Sequence, residues 1–346
     1  MGARKGNKLA MSKFPLDILQ KAVFPYAESQ DPDVLLGAAF GEDVALTKVG
    51  NCILASHVDP IVGAISNIGW LAVHVACNDI ATSGIAPRWI LLLVLVPRLE
   101  DVDLLQSIMR DARKATSELS ISIIGGHTGY SAGLSRPLVA VTALGTLVDR
   151  EPIYTGGAQH GDRILVTKGL ALEGTAILAE DFKDVARELG LTQTELEEAR
   201  ALIEQVSVVP EALALAEHGA TAIHDVTRGG LLETLLETAH LSQVQLKVEV
   251  SRLPINPIVT RFAQLFQFDP ISIISSGTLV ATIPPSQSRI VSQALDAIGI
   301  PFSFVGEVLE GFGVELHEAG EVIRHTEIQP EKDELARMWE LYPRQS

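Results

Sequence analysis

Cysteine is nearly absent from this 346-residue chain, which holds only Cys52 and Cys77. The two form no CxxC or other metal-type spacing, which excludes a zinc ribbon, a thioredoxin-like redox pair and a disulfide framework. Both sit in apolar contexts, as buried thiols of a reducing cytoplasm do. Long uncharged apolar runs are missing too. The nearest, "WILLLVLVPRL" from Trp89, is too short to span a bilayer and is bounded by Arg88 and Pro97, so it reads as a buried strand. Residues 1–13 carry four Lys/Arg with no apolar segment after them, which argues for a loose arm rather than a secretory signal. Basic charge is short as well: 27 Lys+Arg against 43 Asp+Glu leave a net charge of −16. That excludes general nucleic-acid binding, which needs a basic excess to neutralise phosphates. There is no short-period repeat and no Walker-type phosphate loop.

What is present is a chain that is 47% hydrophobic and 20% charged, long enough for two domains with cores of their own. Short apolar blocks around Gly50-Asn51 predict paired strands over 34–49 and 51–59. Helical spacing of Ile68, Leu71, Ala72, Val75, Ala76 and Ile80 predicts a helix over 66–84, ended by Gly84 and Pro87. A strand at 89–96, a helix at 101–119 and strands at 120–125 and 137–148 follow. The turn-rich "DREPIYTGGAQHGD" (149–162) marks a domain boundary. Beyond it we expect strands at 163–168, 244–250, 277–283 and 302–308. Helices are expected near 173–189, 192–206, from 209, from "HDVTRGG" to 240, at 256–267 and at 286–298, with a terminal helix in "ELARMWELY". The alternation indicates an α/β (α+β) chain with an arm (1–13), domains over 14–155 and 156–330, and a tail (331–346).

Five stretches carry candidate chemistry. "GEDVAL" places Glu42 and Asp43 after a glycine at a strand entrance, suiting a hard cation or simply an acidic turn. "SHVDPI" puts His57 and Asp59 on one side of a strand. "ACNDIATSGIAPRW" sets Asn78 and Asp79 near a helix C-terminus, where the dipole disfavours an anion unless a cation is near; a solvated Asp79 is the plain alternative. "IIGGHTGYSAGLSRP" empties a strand into Gly125-Gly126, with exposed N–H groups of the kind that cradle phosphate, or forms a glycine-rich hairpin. "HDVTRGGLLETLLETAH" opens an amphipathic helix behind Asp225, Thr227, Gly229 and Gly230, either an anion site or an ordinary N-cap.

In order and spacing these stretches, with "HGDRILVTKG" and "SSGTL", resemble the aminoimidazole ribonucleotide (AIR) synthetase-related superfamily from about Gly37 to Val308. Within it they are most similar to the hydrogenase maturation branch, the HypE type. The resemblance implies a PurM-like fold. Its N-terminal mixed sheet pairs with a second copy's sheet into a dimeric β-barrel, and an α/β sandwich domain packs beside it. It implies a cytoplasmic homodimer, acting on a small-molecule or protein-borne substrate, that holds ATP and Mg²⁺ and activates an amide- or acid-type oxygen by phosphoryl transfer. Carried over, Asp43, Asp59 and Asp79 match the metal acids and Asn78 the neighbouring polar ligand. Gly125, Gly126, His127 and Thr128 match the glycine loop, and Asp225, Gly229 and Gly230 the second domain's share of the cleft. Two departures stand out. His127 takes the place of an acid that several relatives carry. The chain ends "ELYPRQS", with Pro343-Arg344 but without the terminal cysteine on which the maturation factor works. A nucleotide-binding scaffold that has lost the thiol chemistry, and an AIR synthetase proper, are the alternative readings.

Overall fold

The computed structural model describes residues 14, 16–62, 67–329 and 333–342; the expected arm over 1–13 and the Pro343-Arg344 pair lie outside them. In the first half, α1 (Leu16–Ala22) and α2 (Phe24–Ala27) precede a six-stranded mixed sheet. Its strands are β1 (Val34–Leu36), β2 (Ala45–Val49), β3 (Cys52–Val62), β4 (Pro87–Val96), β5 (Ser122–Tyr130) and β6 (Leu138–Leu147), in the spatial order β1-β2-β3-β6-β4-β5. Pairing is antiparallel except between β4 and β5. Strand β6 alternates strictly, with Val139, Val141, Ala143 and Leu147 buried, as a sheet with one covered face requires.

Helix α3 (Ile68–Thr82) covers that face, and α4 (Val102–Glu118) packs beside it. Its sequence is apolar nearly all round, which destines it for complete burial: every residue from Ile68 to Thr82 but Trp70 is buried. Helix α4 by contrast buries one stripe, Ile108, Ala112, Ala115 and Thr116, at helical spacing.

The second half builds a seven-stranded sheet in the order β13-β12-β9-β11-β7-β10-β8. The strands are β7 (Arg163–Thr167), β8 (Ala222–Asp225), β9 (Gln245–Glu249), β10 (Leu279–Ile283), β11 (Phe302–Leu309), β12 (Gly313–Glu318) and β13 (Glu321–His325). Around them lie α5 (Leu172–Asp181), α6 (Lys183–Glu188), α7 (Gln193–Ala201), α8 (Val209–Glu217), α9 (Gly230–Ser242), α10 (Pro257–Phe266), α11 (Ser288–Ala297) and α12 (Glu334–Leu341). One core runs through both halves: Ala76, Ile80 and Val141 belong to the same buried cluster as Val209, Leu215, Ile223 and Ala281. Helix α3 is therefore shared, with the first sheet on one side and α8 and β8 on the other.

Several expectations shift. The segment expected as one helix over 173–189 is two, α5 and α6, joined at Phe182. The helix expected to 206 ends at Ala201 and continues as a 3-10 turn. Strand β5 does not empty into its glycines at 125 but runs through them to Tyr130. Cys77 is buried, whereas Cys52 opens β3 half-buried. Strands β8, β12 and β13 were not expected: β8 is only four residues long, and β13 is exposed almost throughout, so neither shows a readable alternation.

Candidate functional site

Four carboxylates from four elements face one another. Asp43 stands in the turn before β2, Asp59 on β3, Asp79 in the last turn of α3, and Asp225 at the end of β8. Because α3 is held between both halves, its C-terminal turn delivers Asp79 to the place where β3 and β8 end. Burial first, then the negative charges of Asp225, Asp43 and Asp59, lift the Asp79 pKa well above the usual carboxylate range. Asp79 is therefore not a solvated helix end: it is 6% exposed and crowded by like charge.

Two histidines tie the acids together. His57 reaches Asp79 Oδ2 with Nε2 at 3.3 Å while Nδ1 donates a short hydrogen bond to the Asp43 carbonyl. His224, buried on β8, sets Nδ1 3.0 Å from Asp43 Oδ2 and 3.8 Å from Asp225 Oδ1. Its Nε2 meets Glu237 Oε2 of α9 at 3.1 Å. Burial opposes a charge on His224, but Asp43, Asp225 and Glu237 outweigh it and raise its pKa well above the ordinary value. Thr82 bridges Asp43 Oδ2 (3.4 Å) and the Asp79 carbonyl (2.7 Å).

Asp225 is the least compensated of the set. It is fully buried, and both carboxylate oxygens lack a hydrogen-bond partner; the 3.8 Å separation from His224 is too long for one. Its pKa is raised, by burial above all. An ionised carboxylate so placed costs several kcal/mol, roughly, unless a cation answers it. The donor set of Asp43, Asp225 and His224 brings one atom from each within 4.8 Å of one another. The residues present thus fit a divalent cation.

A cleft of about 1670 Å³ opens above this cluster, and Asp43, Asp59 and Asp79 line it. Thr227 and Arg228 of the turn into α9 and Glu173 of α5 line the same cleft. Gly229 (φ +77°) and Gly230 (φ +67°) make that turn left-handed, and a Cβ on Gly230 would sit 2.4 Å from the Ile271 carbonyl, so the turn requires glycine there. Glu173 is buried, with one carboxylate oxygen unpartnered and burial raising its pKa.

Other candidates lie elsewhere. Asn78 is fully buried and its amide clamps the two halves: Nδ2 donates to the Val206 carbonyl and Oδ1 accepts from Val208 N–H, both at 2.8 Å. Gly125, Gly126, His127 and Thr128 sit in edge strand β5, exposed and outside the residues that line the cleft. Gly126 is needed for pairing, since a Cβ there would lie 2.0 Å from the Leu92 carbonyl of β4. His224, Glu237 and Glu173 were missed as site residues. His224 adjoins Asp225, and Glu237 is two turns into the helix that "HDVTRGG" opens, so sequence proximity was the available signal; Glu173 offered none.

Two family models cover most of the chain. Residues 41–147 match the N-terminal domain of AIR synthase related proteins, and residues 159–318 match their C-terminal domain. The chain belongs to the AIR synthase-related family. The two matches leave only the turn-rich linker between them, and they take in β2 to β6 of the first sheet and β7 to β12 of the second. Family relatives include a putative hydrogenase expression/formation protein of Methanocaldococcus jannaschii, 27% identical over 70% of this chain and 71% of its own length. A carbamoyl dehydratase HypE of Bradyrhizobium diazoefficiens is 28% identical over 73% of this chain and 72% of its own. Among solved structures, the hydrogenase maturation protein HypE in complex with ATP superposes with a TM-score of 0.69. It covers 88% of this chain and 92% of its own at 22% identity, a likeness of fold. The PurM-like two-domain architecture expected from the motifs is thus observed. No helix among the described residues is long and apolar enough to cross a membrane.

Proposed function

We propose that this chain is an ATP- and Mg²⁺-dependent enzyme that activates an amide- or acid-type oxygen of a second substrate by phosphoryl transfer. The observation that carries the reading is the convergence of Asp43, Asp59, Asp79 and Asp225 beneath one cleft, with the buried Asp225 oxygens left unpartnered. Asp43, Asp59 and Asp79 would hold the cation, which supplies charge neutralisation for a transferring phosphoryl group. Thr227 and Arg228, which line the same cleft just before α9, would meet the phosphate oxygens, which a helix N-terminus favours. The ATP bound by a HypE of the same fold supports this nucleotide, and the carbamoyl dehydratases among the relatives support an amide-type oxygen as acceptor.

A homodimer completes the reading. The uncovered face of the first sheet is apolar, with Val58 61%, Leu91 38% and Ile124 54% exposed across β3, β4 and β5. Pairing of two such faces would remove that surface from water and carry the Gly125–Thr128 stretch toward a second copy. Turnover tests the function: ADP is expected in Mg²⁺ when primary amides, carbamates or carboxylic acids are offered as acceptors. ATP binding with no ADP above background for any of these classes would favour the scaffold.

A further inference from the structure

We propose that Glu173 selects the second substrate: its carboxylate accepts a hydrogen bond from the N–H of a primary amide and turns away the matching carboxylic acid. Glu173 thereby decides between the amide- and acid-type acceptors of the phosphoryl-transfer reading, on which this role rests.

Glu173 stands in the first turn of α5, and the chain enters that helix through a left-handed Ala171 (φ +59°). The stretch "SSGTL" (Ser275 to Leu279) and Ile274 before it pin the turn. Ser275 Oγ accepts from Leu172 N–H at 3.3 Å, and the Ile274 carbonyl accepts from Gly174 N–H at 3.0 Å. A Cβ on Gly174 would lie 2.9 Å from that carbonyl, so glycine is what lets the helix approach. Ser275 is fixed in turn by Thr278, hydroxyl to hydroxyl at 2.6 Å. Glu173 and Ser276 therefore reach the cleft wall from two segments locked together, the rigid support that a selective contact needs.

Burial makes this carboxylate demanding. Glu173 is 6% exposed, and its Oε2 is buried without a hydrogen-bond partner. The Ser276 hydroxyl and N–H and the positive charge of Arg228 favour the ionised form, while burial and the negative charge of Asp59 oppose it. Glu173 thus stands within the electrostatic reach of one of the acids proposed to hold the cation. A carboxylate only accepts hydrogen bonds, so the group brought to it must donate. A primary amide offers two N–H donors and keeps its carbonyl oxygen for the phosphoryl group. A carboxylate ligand offers acceptors alone and adds a like charge, so it can pair only if Glu173 first takes up a proton. A buried polar group left unpaired is what lets a site reject the analogue that lacks its partner.

Calorimetric titration of the full chain in Mg²⁺ and β,γ-methylene ATP, at about pH 8, tests the selection with propionamide and benzamide against propionate and benzoate. The wild type is expected to hold each amide at least about tenfold more tightly than its carboxylate. Glu173→Gln, whose side chain both donates and accepts, is expected to bring that ratio to about one. Its circular dichroism spectrum should be unchanged and its nucleotide affinity within about threefold of wild type. Equal affinities in the wild type, no saturable amide binding, or an unchanged ratio in the variant overturns the role of Glu173. Should Glu173→Gln fail to fold, the wild type decides with the N,N-dimethyl amides, which lack both donors. Their binding is expected to be at least about tenfold weaker than that of the primary amides, and retained affinity contradicts the contact. Amide preference in binding with no ADP formed from ATP would overturn phosphoryl transfer alone and leave the selection by Glu173 in place.

Discussion

Replacing Asn78 with alanine probes how the two halves are joined. Asn78 is fully buried in α3, and its amide makes two bonds of 2.8 Å to the backbone at Val206 and Val208, just before α8. Alanine removes both partners at once and leaves a buried carbonyl and a buried N–H without one. Each orphaned group costs about 1–3 kcal/mol, so the expected loss is about 2–6 kcal/mol in all. At roughly 2 °C per kcal/mol for a chain of this size, melting should fall by about 4–12 °C. Differential scanning calorimetry reads the shift. Nucleotide titration of the folded variant should show an affinity within about threefold of wild type, because the amide faces the linker before α8 and not the cleft. A melting point within about 1 °C of wild type would refute the clamp. An intact melting point with nucleotide binding abolished would instead return Asn78 to the ligand role expected from its neighbour Asp79.

Asp79→Asn, measured in chelator, should change the pH dependence of stability. The folded pKa of Asp79 is raised above its ordinary 3.8, so its contribution is fully present below that value and is lost as pH rises through the folded pKa. The variant should therefore melt progressively higher than wild type as pH climbs from acid to neutral, and a gap independent of pH would contradict the crowding of the four acids. Lys168→Met should destabilise by about 3–5 kcal/mol in urea unfolding, because it strands Glu211, fully buried 2.6 Å from the lysine. The double variant with Glu211→Gln should recover part of that loss, and a cost below about 1 kcal/mol for the single variant would contradict the pair. Leu91→Asp, on the uncovered sheet face, should convert a dimeric sedimentation profile to a monomeric one; a monomeric wild type would remove the basis for the paired barrel.

Much of the fold was legible because its elements keep their periods. Helix α3 shows regular apolar spacing and a Gly84–Pro87 stop, and β6 alternates without a break, so both stand close to their expected bounds. The break at Phe182 was not legible, because an apolar pattern continues through it and only packing decides where the chain turns. Strand β5 illustrates another limit. Gly125-Gly126 is a turn signal in sequence, yet here the lack of a Cβ lets β5 lie against the Leu92 carbonyl. At the site, the acids at 43, 59 and 79 could be named from motif order, and they do converge. Asn78 could not be separated from its neighbour Asp79: successive helix positions point in directions about 100° apart, and only the tertiary structure shows which one meets the cleft. His224 escaped notice for a related reason, since only the fold sets Glu237 behind it and Asp43, distant in sequence, before it.

Calorimetric titration of ATP with Mg²⁺ into wild type, Asp43→Asn and Asp79→Asn tests the central claim most directly. The converging acids predict saturable binding by the wild type and a loss of at least about tenfold in affinity in each variant. Equal affinity in all three proteins would contradict the account.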